Sequence, residues 1–179
     1  MKFYLKKRMD IKKITFLSIL VLLAVLLSMA ELWFPSPVGI PGIKPGLAGI
    51  AAMTALVFFS YSNALFIMLS GCLLTSLLAG GPTAFLFSLC GGILSVTVMW
   101  IMLKSLRKIF SLVGIGITGA IVYNIGQVMA ACFVMSEYSA AAAYLPALLT
   151  SGILTGAFNG FCSMLVVKAL KKMNLMENI

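Results

Sequence analysis

The amino-acid sequence predicts an all-α integral membrane protein, a bundle of six transmembrane helices with both termini in the cytoplasm. Of the 179 residues, 62% are hydrophobic and only 9% are charged, whereas a soluble domain carries about 25% charged residues. The long runs are apolar on every face, without the strict alternation of an outer-membrane barrel. Lipid therefore surrounds the chain, and lipid requires helices because each segment must satisfy its own backbone hydrogen bonds.

The breaks between the apolar runs define a basic tail (residues 1–13), a membrane domain (residues 14–167) and a second basic tail (residues 168–179). A transmembrane helix needs about 20 apolar residues. The predicted spans are residues 14–34, 47–60, 64–79, 84–103, 112–135 and 145–167. The run between the first two spans is too rich in Pro and Gly for a regular helix.

The net charge of +9 is distributed as a topology signal, and this placement argues against a nucleic-acid-binding role. The basic residues cluster in residues 2–13, 104–108 and 168–172. Lys and Arg accumulate on the cytoplasmic side of membranes, and six spans place all three clusters there. With five or seven spans, one cluster would lie outside. We expect a multi-pass protein of a bacterial inner membrane, with the first span kept as an uncleaved anchor.

Four motifs follow one another after the first span. They are PGIKPGLA at residues 41–48, SLCGGILS at 88–95, NIGQ at 124–127 and YLP at 144–146. In this order and spacing they resemble the heptaprenyl diphosphate synthase component I-like family, also called the Gx transporter family. The resemblance implies a likeness to the substrate-binding S components of energy-coupling factor transporters, six-helix proteins that bind small molecules from outside.

The sequence departs from the family pattern at positions that bear on the identity of any ligand. Pro45 and Gly49 stand where Leu and Asn often occur, and Gly71 where an Arg is expected. Tyr123 replaces the His that usually precedes the NIGQ motif, and the chain has no His.

Lys44 is the sharpest candidate for contact with a ligand. It is the one cation in the sequence outside the basic clusters, and it precedes the short second span. The N-terminus of that span presents amides and a positive dipole end, which together with a lysine would suit a carboxylate or phosphate. The alternative is an interfacial lysine, or one paired with Glu31, whose charge late in the first span is costly without a partner.

Tyr123, Asn124 and Gln127 form a polar patch in the fifth span. Because unpaired amides are costly in hydrocarbon, they must bond neighbouring helices, water or a ligand, and both a structural and a ligand-binding role stay open. Ser88 in the fourth span is a further candidate contact, with close helix packing as the alternative.

Ala24 and Ser28 have a small-x-x-x-small spacing on the first span, which permits close helix contact. S components use small residues of this kind to dock their transmembrane partner, so the resemblance implies the same role here.

Enzyme chemistry is not expected. The sequence has four acidic residues, all scattered, and no Asp-rich or nucleotide-binding motif, whereas the Mg²⁺ of prenyl diphosphate synthases needs clustered oxygen ligands. The four cysteines occur singly in four spans. Cys132 and Cys162 are separated by roughly 25 Å in depth in the predicted topology, because a helix rises about 1.5 Å per residue. We therefore expect no metal, cofactor or catalytic residue.

The leading hypothesis is a non-enzymatic protein that binds a small molecule from the extracytoplasmic side, with Lys44, Glu31, Asn124 and Gln127 at the site. Uptake would require separate ATPase and transmembrane coupling subunits. The alternatives are an accessory membrane subunit of heptaprenyl diphosphate and menaquinone biosynthesis, and a membrane partner in flavin-based extracellular electron transfer. The last is suggested by the flavin-carrying proteins encoded beside genes of this family.

Overall fold

The computed structural model describes residues 2–31, 33, 46–107, 109–135 and 145–172, and this part of the chain contains helices and no strand. The helices are α1 (Lys2–Glu31), α2 (Gly49–Phe58), α3 (Tyr61–Thr75), α4 (Gly81–Ser105), α5 (Leu112–Met135) and α6 (Leu145–Lys172). A π-helical turn, Ser76–Gly80, joins α3 to α4. All of these helices except α2 belong to segments long and apolar enough to cross a membrane. The predicted all-α, multi-pass class is confirmed.

Helix α2 is shorter than the span predicted for residues 47–60. Its 10 residues extend about 15 Å, half of the roughly 30 Å of bilayer hydrocarbon. The residues from Ile50 to Leu56 are all buried, and α2 contacts each of the other five helices. The apolar side chains on every face of α2 therefore pack against other helices. This enclosure allows a half-length helix to lie inside the bundle.

The two ends of α2 lie at different depths in the bundle. Near its start, the carbonyl of Gly46 accepts a hydrogen bond of 2.9 Å from the amide of Asn159, a residue near the middle of α6. Beyond its end, the ring of Phe59 packs against Phe16 of α1, with 5.7 Å between the ring centroids. Helix α2 thus begins in the interior and runs toward the end of the bundle where α1 begins.

The described basic residues gather at that same end. The Tyr61 ring packs on Trp100, 5.1 Å away, and the Lys104 ammonium lies over the Trp100 ring at 5.2 Å. Because the glycines of α6 pack along α5 in reverse order, the basic last turn of α6, with Lys171 and Lys172, lies at this end too. One shared end is what the positive-inside pattern requires; that it faces the cytoplasm stays a prediction.

Glycines set the close packing of α6 on α5. A Cβ on Gly160 would lie 2.9 Å from the Leu112 carbonyl oxygen, and one on Gly156 would lie 2.8 Å from the Gly116 carbonyl oxygen. Such distances leave no room for a side chain, so the two backbones are in direct contact. Small residues at four-residue spacing are the usual means of such an approach in membranes.

We expect Gly156→Ala to destabilise the protein by about 1–3 kcal/mol, because the added methyl would force the two backbones apart. Denaturant titration of the purified protein in detergent measures this change. Gly114→Ala is the matched control, since its methyl would meet the ring of Phe110 at 3.3 Å and that ring is 43% exposed. Equal losses for the two variants would contradict the assigned packing.

Candidate functional site

A cavity lies inside the bundle beside the start of α2, and all six helices contribute to its wall. The space open to the centres of water-sized spheres is about 50 Å³, whereas a single water needs roughly 10–15 Å³ on this measure. The cavity therefore has room for several waters or one small chemical group. The polar residues in its wall are Ser28, Glu31, Thr75, Ser76, Ser88, Ser95, Tyr123 and Asn159.

Side chains from three helices hold the peptide group that joins Gly46 to Leu47, here named the clamped peptide. Its N–H, on Leu47, donates a hydrogen bond to Oε1 of Glu31 at the end of α1. Its carbonyl, on Gly46, accepts from Nδ2 of Asn159. The ring of Tyr123 lies against Gly46, where a Cβ would stand 3.1 Å from the ring, and the φ of Gly46 is +86°. Position 46 thus requires glycine for its conformation and for space.

The carboxylate of Glu31 stabilises the N-terminus of α2. This terminus lies inside the bundle, so its orphan N–H groups must be satisfied by protein. The N–H groups of Gly49 and Ile50 bond back to the Gly46 and Leu47 carbonyls at 3.0 and 3.1 Å, and the N–H of Leu47 bonds to Glu31. A negative charge is favourable beside the positive end of a helix dipole. This position accounts for a carboxylate that is only 3% exposed.

Tyr123, Ser88 and Gln127 adjoin one another. The Tyr123 phenol interacts with the side chains of both other residues. Tyr123 and Ser88 line the cavity, whereas Gln127 is fully buried and absent from the cavity wall. The structure therefore brings together Glu31, Tyr123 and Ser88 from the predicted site and places Gln127 immediately behind them.

Asn124 lies elsewhere, between α5 and α6. Its Nδ2 donates a hydrogen bond of 2.7 Å to the Leu148 carbonyl, and a Cβ on Gly152 would be 2.7 Å from the same nitrogen. Asn124 does not line the cavity. Asn124 and Gln127, which were expected to contact one ligand, thus face different neighbours. Asn124 bonds to a neighbouring helix, as the structural alternative predicted.

Lys44 lies outside the described residues, as does its predicted pairing with Glu31. Among the described residues, Glu31 accepts a hydrogen bond from the backbone of Leu47.

Ala24 and Ser28 face the interior of the bundle. They are 1% and 8% exposed and line the cavity. A Cβ on Gly71 of α3 would lie 3.2 Å from Cβ of Ala24. The close approach that their spacing predicted thus occurs between α1 and α3 within the chain. Because both side chains are already covered, another face of α1 would have to dock a transmembrane partner.

Sequence reasoning missed Asn159, Thr75 and Ser95. Asn159 is 4% exposed and belongs both to the cavity wall and to the clamped peptide. Its signal was an amide placed between Gly156 and Gly160 in an otherwise apolar span. Thr75 and Ser95 carried no such signal, because single hydroxyl groups are common in membrane helices, where they bond to their own backbone.

The cysteines lie apart on their helices. Cys72 lines the cavity, whereas Cys90 is exposed and Cys132 and Cys162 are partly buried. No group of three or more His, Cys, Asp or Glu side chains suited to a metal ion occurs within the described ranges.

These features define the protein as a polytopic helical membrane protein with an internal, partly polar cavity. The family model described as heptaprenyl diphosphate synthase component I matches residues 20–166. The chain belongs to this family, which confirms the resemblance carried by the four motifs. No curated protein and no solved structure matches the chain.

We expect Glu31→Gln to keep the fold and Glu31→Ala to lose about 1–3 kcal/mol of stability, because only Ala leaves the buried Leu47 N–H without an acceptor. Thermal unfolding in detergent distinguishes the two. Equal stability of both variants would show that the carboxylate oxygen does not support the clamped peptide.

Proposed function

We propose that the protein is an S-component-like membrane protein that binds a small molecule in the cavity. The molecule enters from the extracytoplasmic side and is taken up with the help of separate ATPase and transmembrane subunits. The observation that carries the proposal is the polar-walled cavity at the start of a half-length, fully enclosed helix. The proposed ligand contacts are Glu31, Ser88, Tyr123 and Asn159, together with Lys44.

Energetic reasoning supports a binding role for this cavity. An ionisable side chain inside a membrane protein is costly, and it is usually retained where it serves a ligand, an ion or a proton. Interrupted helices that begin inside the membrane form the substrate sites of many transporters, because their termini present polar backbone groups there. Glu31 and the start of α2 combine both features at one point.

The proposed direction of access follows from the ends of the bundle. The cavity is bounded by Glu31, the last residue of α1, whereas the described basic residues of α4 and α6 lie at the other end of the bundle. If that basic end faces the cytoplasm, as the charge distribution predicts, the cavity is the part of the molecule nearer the outside. The sequence contains no nucleotide-binding motif, so energised uptake needs subunits that supply one.

Methionines give the cavity the means to enlarge. Met53, Met68 and Met99 line it, and unbranched methionine side chains rearrange readily. A Cβ on Gly92 would lie 2.9 Å from Cγ of Met68, and one on Gly119 would lie 2.7 Å from Cγ of Met99. These glycines make room for the methionines, and movement of both side chains would open space for a ligand larger than several waters.

Native mass spectrometry of the mildly extracted protein tests the proposal. We expect the protein to retain a small molecule and Ser28→Leu to lose it, because the larger side chain fills the cavity. Ser18→Leu makes the same change on the exposed face of α1 and should keep the molecule. If the wild-type protein retains no molecule, or if both variants behave alike, the cavity is not a binding site.

A second prediction concerns Lys44. We expect Lys44→Ala to abolish binding of the retained molecule while the extraction yield stays normal, because a lysine before the start of α2 adds charge to a site that the helix terminus already polarises. Comparison of bound fractions in the same native spectra measures the effect. Unchanged occupancy would remove Lys44 from the site.

The family description favours one alternative, an accessory membrane subunit of a prenyl diphosphate synthase. Affinity purification of the tagged chain separates the candidates by the protein that accompanies it. An ATPase pair supports uptake, a soluble prenyl synthase supports the accessory role, and a flavoprotein supports the electron-transfer role expected from the resemblance.

A further inference from the structure

We propose that the cavity recognises its ligand as a hydrogen-bond donor, so that the ligand class is a mainly apolar small molecule bearing an amine, amide N–H or hydroxyl group. This inference rests on the proposed function, because it assigns the chemistry of the molecule bound at that site. It concerns the part of the cavity wall to which Asn159, Thr75 and Ser95 contribute.

Asn159 supplies the first acceptor. Its Nδ2 donates a hydrogen bond to the Gly46 carbonyl oxygen. This bond fixes the orientation of the side-chain amide, because only the nitrogen of the amide can donate to a carbonyl oxygen. Its Oδ1 is buried and has no hydrogen-bond partner among the described residues. A buried amide oxygen without a partner costs free energy, and a donor placed in the adjoining cavity would recover it.

Hydroxyl groups supply further acceptors. Thr75 donates its proton to the Gly71 carbonyl at 2.7 Å, and Ser95 donates to the Gly119 carbonyl at 2.8 Å. A hydroxyl has one proton to donate and two lone pairs to accept with. With the proton committed to the backbone, each of these side chains can offer a ligand only an oxygen lone pair.

Charge acts in the same direction. The carboxyl group of Glu31 lies in the cavity wall and accepts a hydrogen bond from the Leu47 N–H; when it is ionised, it can only accept hydrogen bonds. No Lys or Arg of the described residues lines the cavity. The remaining wall consists mainly of Ala, Gly and Met residues, with hydroxyl groups at Ser28, Ser76, Ser88 and Tyr123. A donor attached to an apolar body matches this surface, and a protonated amine gains from the carboxylate as well.

Four probes of similar ring size test the assignment on the purified full-length protein in detergent. Benzylamine and benzyl alcohol donate hydrogen bonds, whereas toluene does not and benzyl methyl ether only accepts. Equilibrium dialysis should give tighter binding for the donor probe of each pair, benzylamine over toluene and benzyl alcohol over the ether. Asn159→Ala should weaken both donors about tenfold, the value of one buried hydrogen bond.

Asn124→Ala is the matched control, because it removes the same buried amide outside the cavity and should leave the affinities unchanged. If Asn159→Ala does not fold, Thr75→Val removes a wall hydroxyl with little change of shape. Thr155→Val then serves as its control, since Thr155 also bonds to its own helix backbone and lies outside the cavity wall.

The outcomes separate this inference from the proposed function. Equal binding of donor and non-donor probes, or equal losses in the cavity and control variants, would overturn the donor assignment and leave the binding site standing. Absence of binding by every probe also overturns the donor assignment. The proposed function is decided independently, by the molecule retained in native mass spectra.

Discussion

The clamped peptide between Gly46 and Leu47 is the contact on which the rest of the structure depends. A helix that begins inside a membrane protein exposes amide groups that neither lipid nor its own backbone can satisfy. Here the last residue of α1, Glu31, accepts the hydrogen bond from Leu47, and Asn159 of α6 donates to the preceding carbonyl. The Tyr123 ring covers Gly46. Helices distant in sequence are therefore joined at one peptide group, and that group fixes where α2 begins.

The cavity lies beside the start of the half-length helix α2. Polar side chains from the surrounding helices line it there, next to the clamped peptide. The glycine contacts between α5 and α6 hold Asn159 and Tyr123 at the correct distance, because their backbones touch without intervening side chains. The close packing of α5 against α6 thus also positions polar residues of the cavity wall.

The polar groups of the cavity divide into those that support the fold and those available to a ligand. The Leu47 N–H and the Gly46 carbonyl are satisfied by side chains, and the protons of Thr75 and Ser95 by backbone carbonyls. The groups proposed to face a ligand are the Oδ1 of Asn159 and the lone pairs of Thr75 and Ser95, beside the Glu31 carboxyl group. The expectation of an anionic ligand arose from Lys44 and the N-terminus of the second span, whereas the acceptors of the described cavity wall favour a hydrogen-bond donor.

The sequence by itself determined the membrane class, the family and the grouping of the basic clusters at one end of the bundle. Apolar composition and the placement of lysines act through lipid, and lipid responds to whole segments rather than to individual contacts. It also predicted Glu31, Ser88 and Tyr123 as candidate contacts, because their polarity stands out from an apolar span, and all three line the cavity. Only the tertiary structure decided that α2 is a half-length central helix, that Asn124 bonds α6 while Asn159 reaches the cavity, and that Ala24 and Ser28 face inward. A run of apolar residues has the same sequence pattern whether lipid or protein covers it. Polar residues in these spans differ in function according to which helix each one faces.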